Sequence, residues 1–307
     1  MELKEIGMQK ITPFLWFDNN AEEAINFYTS VFGNSKINNV NIYSEDAAKA
    51  TGRPAGSVMT ASFNLNGQEF VALNGGPVFK FNPSVSFFVI FKNEKEVDNL
   101  WGKLSEGGKV LMELQKYDWS KKYGWIEDKY GLSWQLMLTE DDDKQKIIPS
   151  LLFVDKVYGK AEEAINFYTN VFRNTKVESV YKYGPGYEPN SENAIMYADF
   201  ILEGNKFAAM DSANDHNFNF NEAISFVVDC KDQEEVDYYW NKLTSDGGQE
   251  SMCAWLKDKF GVSWQIVPKV LVEMLGDKNP LKAQKAMQAM LQMKKIIIKD
   301  LEKAYNS

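Results

Sequence analysis

Few side chains in this sequence could carry out chemistry. His216 is the single histidine, and the two cysteines are Cys230 and Cys253. No G-x-S-x-G elbow occurs, so a serine triad would have to recruit His216 from the polar loop "SANDHNFNF". Asp199 and Asp211 are a candidate carboxylate pair for acid–base work, with structural or solvent-facing roles as the alternative. Two cysteines in apolar surroundings indicate neither a disulfide scaffold nor a thiolate zinc site. What recurs is neutral: Gln135 in "GLSWQLM" and Gln265 in "GVSWQIV". Strand alternation puts Ser133, Gln135 and Met137 on one face and Trp134 and Leu136 on the other, and separates Gln265 from Trp264 in the same way.

The elements that position these residues come in two copies. "AEEAINFYTSVF" (21–32) returns as "AEEAINFYTNVF" (161–172), with Ser30 replaced by Asn170. "SVSFFVIFKNEKEVDNLWGKLSEGG" (84–108) returns as "AISFVVDCKDQEEVDYYWNKLTSDGG" (223–248), and "WIEDKYGLSWQLM" (125–137) as "WLKDKFGVSWQIV" (255–267). Each copy opens on an apolar strand. A helix follows, with Ala24, Tyr28, Val31 and Phe32 on one buried face and Glu22, Glu23 and Asn26 toward solvent. Two strands around a turn come next, then a fourth strand, a second helix ending at a Gly-Gly pair and a final strand. The order is β-α-β-β then β-α-β, with room for an extra strand after the Gly pair. Beyond residue 270 the repeat stops. Asn279 and Pro280 read as N-cap and N1 of a helix with Ala283, Ala286, Met287 and Met290 on one face, a packing stripe.

Composition bounds the class. The 307 residues suggest two domains, and 44% apolar with 25% charged residues is ordinary for a globular chain. A net charge of -9 without a Lys/Arg-rich run argues against nucleic acid as a partner. No run approaches the ~18–20 apolar residues of a membrane span, and "MELKEIGMQK" has no apolar leader region, so a cytoplasmic protein is expected. The domains are read as 1–138 and 148–270, joined by the charged linker 139–147 ("TEDDDKQK" at 139–146) and followed by a helical extension, 271–307.

Taken together, "ITPFLWFDNNAEEAINFYTSVF", "GQEFVALNGGP", "ISFVVDCKDQEEVDYYWNKL", "WLKDKFGVSWQIVP" and "KAMQAMLQMKK" resemble the PhnB-like branch of the vicinal-oxygen-chelate (glyoxalase/bleomycin resistance/dioxygenase) superfamily. Sequences of that branch carry the label 3-demethylubiquinone-9 3-methyltransferase. The resemblance implies an α+β fold of tandem glyoxalase-like domains, built from paired βαβββ modules around small-molecule cavities. A tandem chain would pack its domains internally, so a monomer is compatible with it. The resemblance also locates ligand positions for metal-dependent members, and here they hold Pro13 and Pro149, Phe70 or Ala72, Phe207 or Ala209, Ser84 and Ala223. Only Gln135 and Gln265 remain as donors. No metal and no cofactor are therefore expected. S-adenosylmethionine would call for a Gly-rich turn between strand and helix, and neither "NGGP" (74–77) nor "YGPGYEPN" (183–190) fits.

By the same resemblance, the residues expected to line the cavities are Gln135, Gln265, Ser84, Ser86, Ser225, Phe88, Asn74, Asp211 and Cys253. Trp125 and Trp255 would flank an entrance. Such an apolar, aromatic lining suits binding of a small hydrophobic or aromatic molecule. The alternatives are a superfamily enzyme with an atypical metal site using Gln265 and Asp211, and an interaction scaffold.

Overall fold

The computed structural model describes residues 9–307, except for 44, 46–47, 50–51 and 141–144. Most of the acidic run of the expected linker and most of the N-terminal stretch "MELKEIGMQK" therefore lie outside the described residues. The chain divides into two units, Pro13–Ile224 and Ser225–Ser307 with the start of the chain up to Thr12.

The larger unit contains three modules of strands, drawn from both sequence copies. β1 (Ile11–Phe17), α1 (Ala21–Val31), β2 (Lys36–Ile42), β3 (Val58–Leu65) and β4 (Gln68–Asn74) form the first βαβββ module, with strand order β1-β4-β3-β2. β5 (Val85–Phe91), α2 (Glu94–Ser105), β6 (Lys109–Tyr117), β7 (Ser120–Glu127) and β8 (Ser133–Leu138) form the second. β9 (Ile147–Phe153), α3 (Ala161–Val171), β10 (Lys176–Lys182), β11 (Ile195–Leu202) and β12 (Asn205–Asp211) belong to the second copy. The second and third modules share one eight-stranded sheet, β10-β11-β12-β9-β5-β8-β7-β6. Its centre is the antiparallel pair β5–β9, Val85 opposite Leu151 and Ser86 opposite Ser150.

Local sequence explains most of these elements. α1 buries Ala21, Ala24, Ile25 and Tyr28, the i, i+3, i+4, i+7 stripe of an amphipathic helix. On its other flank Glu22 and Glu23 face solvent in the first turn, where acidic groups suit the helix dipole. The stripe packs with Phe63, Phe70, Phe87 and Trp134 into an aromatic core, Tyr28 lying 5.6 Å from Trp134 and Phe70 5.3 Å from Phe87. Asp128 pins this layer. Its carboxylate accepts from the Tyr28 hydroxyl (2.7 Å), Trp134 Nε1 (2.8 Å) and the amides of Tyr130 and Leu132. The recurring "DK(Y/F)G" is thus a structural turn. Asp258 repeats the contacts to Trp264 Nε1, Phe260 N and Val262 N.

Each copy has strands beyond the sequence reading: one after the duplicated helix, and two, not one, between the Gly pair and the final strand. β2 ("KINNVNI") and β10 ("KVESVYK") follow the duplicated helices at the ends of their strand series, where the sequence suggests only two strands after the helix. β2 is exposed along its whole length, so no buried face imposed an alternating pattern.

In the smaller unit, β13 (Ile224–Cys230), α4 (Gln233–Leu243), β14 (Gln249–Glu250), β15 (Trp255–Lys257) and β16 (Ser263–Pro268) run in the order β14-β15-β16-β13. The long hairpin β6–β7 has only the short β14 and β15 as its counterpart. Three helices follow: α5 (Lys269–Leu275), α6 (Pro280–Met290) and α7 (Ile298–Asn306). Asn279 caps α6 as expected, its Oδ1 accepting from Leu281 N at 3.1 Å, with Pro280 in the first turn. Ala286 and Met290 join Leu271, Met274, Ile296 and Leu301 in one cluster, which also takes in Val267 of β16.

Candidate functional site

The strand registers of the eight-stranded sheet put a defined set of side chains on one face. Ser86 lies opposite Ser150 and Phe88 opposite Ile148; Phe88 lies beside Gln135, and Gln135 opposite Trp125. Ser150 lies beside Ala208, which is opposite Asp199. Trp134 occupies the other face, in the helix-side core, as alternation requires.

A line of neutral polar groups crosses this face. The Tyr123 hydroxyl donates to Gln135 Oε1 at 2.5 Å, and Gln135 Nε2 donates to Ser86 Oγ at 2.8 Å. Trp125 Nε1 donates to Ser133 Oγ at 2.7 Å. Ser150 ends the line on β9. Its Oγ is buried and has no hydrogen-bond partner, the single such side-chain atom among the described residues. Burial pushes the Tyr123 phenol up from its ordinary range, so it remains a protonated donor.

Around this line the surface is apolar. Phe88, Ile90, Tyr123, Ile148 and Ala208 form a buried cluster against half-buried Met112, Trp125, Met137, Tyr197 and Met210. Phe88 and Tyr197 meet edge-to-face at 5.8 Å, reaching across β9 and β12, so side chains from both sequence copies meet over this face. The charges on it are paired. Lys206 Nζ lies 2.8 Å from Glu178 and 3.3 Å from Asp199, and Ser179 donates to Asp199.

Other expected residues lie elsewhere. Asn74 and Asp211 are not beside Gln135; they serve helix N-termini. Asn74 Oδ1 accepts from Ala21 N at 2.9 Å, while Asp211 Oδ1 accepts from Gly159 N and Ala161 N and its Oδ2 from Ile195 N. Burial raises the Asp211 carboxyl above the usual carboxylate range, opposed by those amides. Asp199 and Asp211 occupy opposite faces of their hairpin, so they form no acid–base pair. Ser84 is buried just before β5, its carbonyl accepting from Leu152 N. In the smaller unit, Gln265 Nε2 donates to Ser225 Oγ at 3.0 Å. There Cys253 stands at the position of Tyr123, with its backbone amide donating to Met293 O at 2.7 Å and its φ at +59°. Burial raises its thiol, which disfavours a reactive thiolate.

His216 is half-buried in a loop, its Nε2 2.7 Å from Ser212 Oγ, and burial lowers its pKa. It borders a surface cavity of about 400 Å³ with Asp155, Tyr158, Asn214 and Asp215. A second surface cavity of about 420 Å³ is bordered by Phe32, Asn66, Ile90, Glu96 and Lys146. Neither is lined by Gln135 or Ser86.

Among the described residues, no group of three His, Cys, Asp or Glu side chains converges as metal ligands. On the polar line, the amide of Gln135 is already engaged at both ends. These residues do not fit a divalent ion, which needs several O or N donors at ~2.0–2.6 Å. Gly75 and Gly76 follow β4 and lead to β5, and residues 183–190 join β10 to β11. Neither glycine segment is the strand-to-helix turn that cradles a nucleotide. No described helix is long and apolar enough to cross a membrane.

A sequence model of the family described as 3-demethylubiquinone-9 3-methyltransferase matches the chain twice, over residues 9–137 and 145–267. Protein YjdN of Escherichia coli (strain K12) is 21% identical over 145 residues, covering 44% of this chain and 99% of that protein. The PhnB protein from Bacillus cereus is 45% identical, over 43% of this chain and 100% of that one, with a TM-score of 0.40. Glyoxalase I from Zea mays is 14% identical, over 87% of this chain and 95% of that one, with a TM-score of 0.55, a likeness of fold alone.

Proposed function

The chain belongs to the family described as 3-demethylubiquinone-9 3-methyltransferase, in two glyoxalase-like copies, and from that membership we propose that it binds a small hydrophobic or aromatic molecule without a metal ion. The binding face is that of Phe88, Gln135 and Ser150 on the eight-stranded sheet. The observation that carries this reading is the neutral polar line Tyr123–Gln135–Ser86 set among aromatic and methionine side chains. Such a surface orients an apolar ligand through a few hydrogen bonds while its area supplies the affinity. Its Lys206 is held by Glu178 and Asp199, so this charge is engaged and does not face a ligand.

Native mass spectrometry of the full chain, purified without chelator, tests this. The expected spectrum carries a small organic adduct, or takes one up from a panel of lipophilic aromatics, and Phe88→Ala loses it. A stoichiometric divalent ion would overturn the metal-independent reading. Adducts unaffected by Phe88→Ala would move the site elsewhere.

A further inference from the structure

We propose that the ligand of this face is a neutral aromatic ketone, whose carbonyl oxygen is received by the hydroxyls of Ser150 and Ser86. This rests on the binding reading above and specifies its chemistry.

The direction of the hydrogen bonds selects the ligand group. Tyr123 donates to Gln135, and Gln135 donates to Ser86 Oγ. Ser86 therefore accepts, and its own proton goes to no described residue. Opposite it across the β5–β9 pair stands Ser150, whose Oγ has no partner among the described residues. Two buried hydroxyl protons without acceptors sit side by side on neighbouring strands. A buried hydroxyl left unmatched is costly, so the group that completes them is an acceptor.

Charge narrows the class further. A carboxylate or phosphate would be buried without a free counter-ion, because Lys206 already pairs with Glu178 and Asp199, and Lys176 at the sheet edge pairs with Glu178. The acceptor is thus uncharged. Phe88, Tyr123, Tyr197 and Trp125 surround the line and favour a flat ring system as the body of the ligand. The matching positions of the other repeat elements carry different residues. Phe14 of "ITPF" stands where Ser150 stands in "IIPS", and Cys253 replaces Tyr123.

The test uses 9-fluorenone and fluorene, rigid compounds of nearly equal shape that differ in the carbonyl. Binding to the full chain is followed by titration calorimetry, and the ketone's C=O stretch by infrared spectroscopy. Fluorenone is expected to bind roughly ten-fold more tightly than fluorene, as one or two net hydrogen bonds allow. Its C=O stretch should shift to lower wavenumber on binding. Ser150→Ala should lower its affinity several-fold toward that of fluorene and reduce the shift, with Ser86 left as the remaining donor, while leaving fluorene binding unchanged. Equal binding of the two compounds, insensitive to Ser150→Ala, overturns this inference and leaves the binding reading standing. Failure of both compounds and of every lipophilic aromatic in the panel overturns both.

Discussion

Ser150 is the residue whose environment conflicts most with its chemistry. A serine hydroxyl at a fully buried position without a partner costs the folded chain stability, and its removal relieves that cost. Ser150→Ala should therefore be neutral or stabilising by ~1–2 kcal/mol, measured as a shift in the urea midpoint at constant slope. A clear loss of stability would mean the hydroxyl already has a partner. His216 offers a pH test, because a single histidine gives an unambiguous NMR titration. Burial lowers its pKa, so the folded state disfavours the charged ring. Its contribution to stability is then complete above about pH 6.5 and is lost as pH falls through the lower folded value. The midpoint should lie below that of a free histidine; a higher one would contradict the burial argument. At this scale the sequence was partly legible. Alternation alone separated Gln135 from Trp134, but the capping roles of Asn74 and Asp211 join segments some fifty residues apart, 53 and 50 positions from Ala21 and Ala161.

Among the elements, the helices were the most legible, because one buried stripe at helical spacing declares both type and orientation. β2 and β10 were not, since an exposed end strand needs no alternation. The C-terminal helices show how one element class replaces another. Where the first copy spends residues 109–127 on β6 and β7, the second has short strands, and the backbone amides of Cys253 and Ala254 instead donate to Met293 and Lys294 of the segment after α6. The helices are held by the cluster around Leu301, itself fully buried. Leu301→Ala should cost ~2–5 kcal/mol, the usual penalty for a core cavity, and should appear in thermal unfolding of the full chain. A cost below about 0.5 kcal/mol, the surface range, would show that the tail is not an integral part of its unit.

For the whole molecule, the decisive contact is β5 against β9, which joins the two sequence copies in one sheet. A fragment of residues 1–138 would leave β5 as an unpaired edge of buried, apolar character. It should associate through that edge in sedimentation equilibrium, whereas a stable folded monomer would show that the first copy closes by itself. The sequence by itself determined the duplicated modules, the helix stripes and the separation of Gln135 from Trp134. These follow from local periodicity and from the near identity of the copies, which a linear chain displays directly. Only the tertiary structure decided that strands from the two copies share a sheet, that Asn74 and Asp211 cap helices, and that Ser150 lies opposite Ser86 without a partner. Strand partnering and hydrogen-bond satisfaction depend on which distant segments meet, and neither leaves a periodic trace in the residues that take part.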